Sequence, residues 1–222
     1  MPKLRGVSVT ATYPQYIEIK RAGPGSVLLS EFRDLDAFTF RGIEDALSAL
    51  RETGDLDAFE ESVIEHLQEA HTRGVVVGRH WAGDMVAREL DDELFAGRAV
   101  EKELVYFEGF MKDLRSGRYG DVAEGLTTGA DARLRMYGNK VGGTMNEVFV
   151  LASPDTDTFG WVMLADEHCD DCPRWASGGP YTKKDLPAHP RDGSSECRTN
   201  CRCVLVRQSD GMPGPPPFGL GL

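Results

Sequence analysis

Apolar side chains recur through the middle of the chain at helical spacing. Phe40, Ile43, Leu47 and Leu50 fall at i, i+3, i+7 and i+10, and Gly54 is placed to close that helix. Asp55-Leu56-Asp57 opens a second helix, with Phe59, Val63, Leu67 and Ala70 on one stripe. The third is the most regular: Val100, Leu104, Phe107, Met111 and Leu114 keep one face, and Gly117 and Gly120 stand at its end. A fourth runs from about Asp131, with Leu134, Tyr137, Val141, Met145 and Val148 on one face. Stripes of this kind leave water by packing against one another, which predicts a helical bundle.

The period changes on either side of that bundle. Val7-Ser8-Val9 and Tyr16-Ile17-Glu18-Ile19 alternate as short strands do, and Gly23-Pro24-Gly25 interrupts them, so residues 1–30 read as an extended arm. Phe159–Ala165 and Cys203–Val206 are apolar runs of strand length that bracket a segment rich in Gly, Pro, Ser and Asp. Gly211–Phe218 is rich in Pro and Gly and reads as a mobile tail with polyproline character. The expected division is an arm over 1–30, a helical domain over 31–153, a Cys-rich zinc-binding module over 154–210 and a flexible tail over 211–222. The fold class is then mainly α, a helical bundle domain followed by a small α+β zinc-binding C-terminal module.

All five cysteines fall in that module, as Cys169-Asp170-Asp171-Cys172 and Cys197-Arg198-Thr199-Asn200-Cys201-Arg202-Cys203. A C-x2-C knuckle followed by a second group of thiols supplies more than the four soft ligands a tetrahedral Zn2+ takes. The segment between the two groups has little apolar material of its own, so a metal is the natural organiser. The competing reading is a pair of disulfides with one thiol left over. No apolar run has the length of a signal peptide or a membrane span, which favours synthesis in a reducing cytosol and therefore metal over disulfides. Cys169, Cys172, Cys197 and Cys201 are the expected ligands, with Cys203 the substitute for either of the last two. Cys201, at a turn, is expected to reach the metal more freely than Cys203 inside a strand. His168 and His189 are expected outside the ligand set, because five thiols already exceed the demand. Replacing Cys169 by Ser is expected to unfold the module and leave the helices largely intact.

Composition narrows the partners. The 222 residues are 41% hydrophobic, enough for one sizeable core and a smaller module. The formal charge of −11 argues against general nucleic-acid binding, which needs surplus Lys and Arg against phosphate. Lys3, Arg5, Lys20 and Arg21 make the arm a local exception, so DNA binding is expected to be weak or absent.

His66, His71 and His80 stand five and nine residues apart, spacings that do not share one helical face, and are read as solvated or capping side chains. The sequence holds no H-E-x-x-H, no G-x-x-x-x-G-K-[ST] and no G-x-S-x-G. The zinc deaminase pattern fails as well, since no H-x-E occurs in the chain. A surplus of thiols predicts a closed site, and closed sites are structural, so no enzyme is expected.

The run Trp161-Val162-Met163-Leu164 … Glu167-His168-Cys169-Asp170-Asp171-Cys172 … Gly179-Pro180-Tyr181-Thr182 … Asp185-Leu186-Pro187 … Pro190 … Gly193 … Cys197 … Asn200-Cys201-Arg202-Cys203 resembles the C-terminal module of the phage head morphogenesis proteins, the Mu F-like minor head family. The preceding helices, including Arg135-Met136-Tyr137-Gly138-Asn139 and the helix from about Val100 to Ser116, are similar in style. The resemblance implies a structural minor head protein of a tailed phage, made in the host cytoplasm and carried in the virion. It also implies few copies and association with the portal and the inner capsid, with portal or capsid protein as partner and no membrane or small-molecule substrate. The alternatives are an enzyme or toxin domain carried on a head protein, or a host zinc-stabilised protein-binding adaptor.

Overall fold

The computed structural model describes residues 24–122, 126–164 and 169–219. Four long helices come first: α1 over Pro24–Thr53, α2 over Leu56–Ala82, α3 over Glu89–Arg115 and α4 over Thr128–Ala152. A small sheet region follows, made of β1 (Thr158–Val162), helix α5 (Asp171–Gly178), β2 (Tyr181–Thr182), a 3-10 turn at Arg198–Asn200 and β3 (Val204–Arg207).

The helix boundaries follow from local chemistry. α1 begins with Pro24, whose fixed φ and missing N–H suit a first helical position, so the expected breaker is a helix start. Residues 24–30 therefore belong to the bundle rather than to an arm, and the alternating segments before Gly23 lie outside the described residues. Gly54 ends α1 at φ +69° and donates its N–H to the Leu50 carbonyl at 2.8 Å. Asp55 caps α2, its carboxylate accepting from the N–H of Asp57 and Ala58 at 3.1 and 3.0 Å. Gly83, at φ +92°, closes the other end of α2 in the left-handed conformation that favours glycine.

α2 is the central helix, packed by α1, α3 and α4. α2 and α4 approach closely because Gly78 has no side chain: a Cβ there would lie 2.6 Å from the Met145 carbonyl oxygen. At one end of the bundle Ile43, Leu50, Val63, Phe107, Phe110 and Leu134 form an all-helical core. At the other end Leu29, Phe32, Trp81, Met145 and Phe149 share one core with Phe159, Trp161, Val204, Leu205 and the buried cysteines. The expected border at 153/154 is thus a change of element type rather than a gap in packing.

The sheet is antiparallel, in the order β2-β1-β3. Phe159 pairs with Tyr181 on one side and Arg207 on the other, while Trp161 pairs with Leu205. Phe159 and Trp161, two residues apart, turn to the core as a strand's alternation requires.

The Pro-rich end of the chain differs from the expected mobile tail. Pro213 to Pro217 are buried, and Pro213 bridges to Val206 beside β3. The Trp81 indole donates to the Pro213 carbonyl at 2.6 Å, and Phe218 packs on Phe32 with ring centroids 5.4 Å apart. Proline lacks a donor but keeps its carbonyl, so the segment can lie in an apolar groove while its acceptors serve buried donors.

Candidate metal centre

Two short segments bring the five thiols together. The first is the turn before α5, closed by the Cys172 N–H donating to the Cys169 carbonyl at 3.2 Å. The second runs from Cys197 through the 3-10 turn to Cys203, just ahead of β3. Carboxylates pin one to the other: the Asp170 N–H donates to Glu196 at 3.2 Å, and the Glu196 N–H donates to Asp171 at 3.0 Å.

Cys169 lies 3.4 Å from both Cys172 and Cys197, sulfur to sulfur, and Cys172 lies 4.0 Å from Cys197. These separations are far beyond the roughly 2.05 Å of a disulfide bond, and all five cysteines are free. Cys172, Cys201 and Cys203 form a second group whose sulfurs lie within 4.8 Å of one another. Cys172 belongs to both groups, so the thiols make one continuous cluster that can hold a metal ion. Asp171 and Glu196 approach Cys169 over the same range, but each accepts a backbone N–H from the facing segment.

The expected advantage of Cys201 over Cys203 does not follow from strand alternation. Cys201 and Cys203 both precede β3, which begins at Val204, so alternation within that strand does not separate them. Both sulfurs lie within 4.8 Å of that of Cys172, and both residues are buried.

The cluster divides its protons unequally. Hydrogen bonds from Cys172 and Cys203 hold the Cys201 thiol far below the ordinary range, and the Arg191 guanidinium adds to the effect. The same bonds to Cys201 and Cys203, with burial, push Cys172 up. Burial likewise pushes Cys197 up to about 12, against the Ser195 hydroxyl 3.2 Å from its sulfur. Cys169 is held down as well, its burial outweighed by the hydrogen bonds it receives from Cys172 and Cys197, and the set titrates as a unit.

Arg191 is the residue that sequence reasoning missed. It is 2% exposed at φ +71°, and its guanidinium donates to the carbonyls of Cys201, Cys203 and Pro215 at 3.2, 3.1 and 2.9 Å. It thus ties the ligand segment to the C-terminal strap. Its own backbone rests on α4, where a Cβ on Gly143 would lie 2.5 Å from the Arg191 carbonyl oxygen. A single Arg in a Pro- and Gly-rich stretch gives no periodic signal of burial, although Gly142-Gly143 inside a helix marks a close approach.

His168 lies outside the described residues. His189 belongs to neither thiol group: its ring faces Asp192 at 3.9 Å, and burial pushes its pKa down against the opposing pull of Glu147 and Asp192.

The other histidines correct the sequence reading. His71 is fully buried between α2, α3 and α4, with Nδ1 2.8 Å from the Thr144 hydroxyl and Nε2 3.0 Å from Glu103. Its position four residues after Leu67 continues the buried stripe, a signal the spacing between histidines hid. His66 meets the Thr39 carbonyl at 3.0 Å, and His80 pairs with Glu31 at 3.0 Å. A cleft of about 700 Å3 opens nearby between α3, α4 and the loop before the 3-10 turn. Lys102, Arg133, Lys140 and Arg198 line it, a local basic rim on an acidic chain.

No family model, no curated protein and no solved structure matches this chain.

Proposed function

We propose that the cluster is a structural zinc site and that the protein is a minor head protein of a tailed phage, acting in head morphogenesis at the portal and inner capsid. The observation that carries this is the convergence of five thiols from one sequence run, the run that resembles the C-terminal module of head morphogenesis proteins. Zn–S bonds of about 2.3 Å in a tetrahedron separate the sulfurs by about 3.8 Å. The separations of 3.4, 3.4 and 4.0 Å among Cys169, Cys172 and Cys197 bracket that value. Cys201, whose sulfur lies within 4.8 Å of that of Cys172, completes the set, and Cys203, within the same range of Cys172, stands by as a fifth thiol.

Four sulfurs leave no open position for water or substrate, which supports a scaffold rather than a catalyst. With a net charge of −11, portal or capsid protein fits as the partner better than free DNA. The assay is co-purification. A tagged chain expressed during phage assembly is expected to appear with the portal ring and in capsids, carrying one zinc per chain by elemental analysis. Zinc-loaded protein absent from both proheads and virions would leave the metal site standing and refute the head role.

A further inference from the structure

We propose that the outer face of α3 is a self-association surface on which a second copy of the chain lays its own α3 antiparallel. The inference stands apart from the head-protein reading. α3 buries one side against α2 and, to a lesser extent, α4. On its opposite side Leu90, Leu94 and Val105 are 70%, 56% and 70% exposed. Large apolar side chains grouped on one helix face, rather than scattered, mark an interaction site.

The order of residues along this face says what covers it. Leu94, Arg98, Glu101 and Val105 follow one another at intervals of four, three and four. At 100° per residue they fall within about 60° of arc, the narrow seam of a two-helix contact. All four are exposed, and among the described residues no ion pair engages Arg98 or Glu101. The seam reads apolar, positive, negative, apolar.

That pattern matches its own reverse. In an antiparallel pair centred between Ala99 and Val100, Leu94 of one copy meets Val105 of the other, and Arg98 meets Glu101, each contact occurring twice by the two-fold axis. A parallel pair in register would set Arg98 on Arg98 and Glu101 on Glu101, so the charges select the antiparallel arrangement. Gly97 borders the seam, and a Cβ there would meet nothing within 4 Å. A helix-interior glycine with open space beside it costs stability in the monomer but lets a second helix come close. The seam spans about 17 Å at 1.5 Å per residue, so the contact is short and the association weak.

Sedimentation equilibrium on the full zinc-loaded chain tests this from micromolar to millimolar concentration. A monomer–dimer equilibrium is expected. Arg98→Glu, which sets Glu on Glu101, is expected to weaken it about tenfold or more, and the double exchange R98E/E101R to bring it back to within about threefold. Leu94→Glu is expected to abolish it, with an unchanged thermal melt showing that the exposed site leaves the fold alone. A chain that stays monomeric throughout overturns the proposal, as does a dimer that is indifferent to Leu94→Glu. A double exchange no better than R98E overturns it too.

Discussion

The centre is specified by a few side chains with unequal weight. Cys172 takes part in both thiol groups, whereas Cys203 takes part in one. Cys172→Ser is therefore expected to lower the metal content from about one per chain to near zero, while Cys203→Ser keeps it, as read by elemental analysis of the purified variants. Acidification works in the same direction. Ligand thiols must give up protons to bind metal, so affinity falls as pH falls, and a titration with a chromogenic chelator is expected to show release on the acid side only. Arg191 carries a different load. Its fork satisfies three carbonyls at once, and Arg191→Lys keeps the charge but not the geometry. A loss of about 2–3 kcal/mol in chemical denaturation is expected for Arg191→Lys, because buried carbonyls would go unpaired.

At the level of elements, glycines decide where helices and loops touch. Gly143→Ala would drive a methyl group against the Arg191 backbone, which cannot swing away as a side chain can. A destabilisation of about 2–3 kcal/mol is expected, with the 190s loop lifted from α4. Gly97→Ala is the contrasting case. It sits in a helix interior with nothing near, so the monomer is expected to gain about 1 kcal/mol of stability from helix propensity. A pair of thermal melts distinguishes the two. Opposite signs are expected for one substitution type, because space rather than propensity governs the first.

The whole molecule is held by a core that crosses from helices to sheet. Cys172, Cys201 and Cys203 are buried in the same cluster as Trp81, Met145 and Phe149. Metal removal is thus expected to reach beyond the module, contrary to the expectation that the helices stand apart. Hydrogen exchange after chelation is expected to speed up in the C-terminal half of α2 and the end of α4, and to spare the end of the bundle built on Phe59, Val63, Phe107 and Phe110. Protection lost evenly along α2, or confined to residues 154–210, would contradict that division of the core. The strap belongs to the same unit. Deleting residues 212–222 removes the Pro213 acceptor of Trp81, the Pro215 acceptor of Arg191 and the Phe218 ring, so a lower melting temperature is expected even with metal bound.

The sequence by itself marked the bodies of the four long helices, two of the three strands and the thiols, while α5 and β2 lay in a stretch read only as rich in Gly, Pro, Ser and Asp. Asp55, Gly54 and the 3.6-residue stripes act through near neighbours, and the clustered C-x2-C and C-x3-C-x-C spacings leave a small module few other ways to use its cysteines. Phe159–Val162 and Val204–Arg207 were legible for the same reason, as short apolar runs between breakers. Only the tertiary structure decided which of these segments share a core. The burial of His71 depends on Thr144 and Glu103 arriving from other helices, and the role of Arg191 depends on carbonyls up to 24 positions away. The Pro-rich end looks like a tail in sequence because it has no period and no donors. It becomes a strap because Trp81 and Arg191, buried far away along the chain, need acceptors that a proline carbonyl can supply.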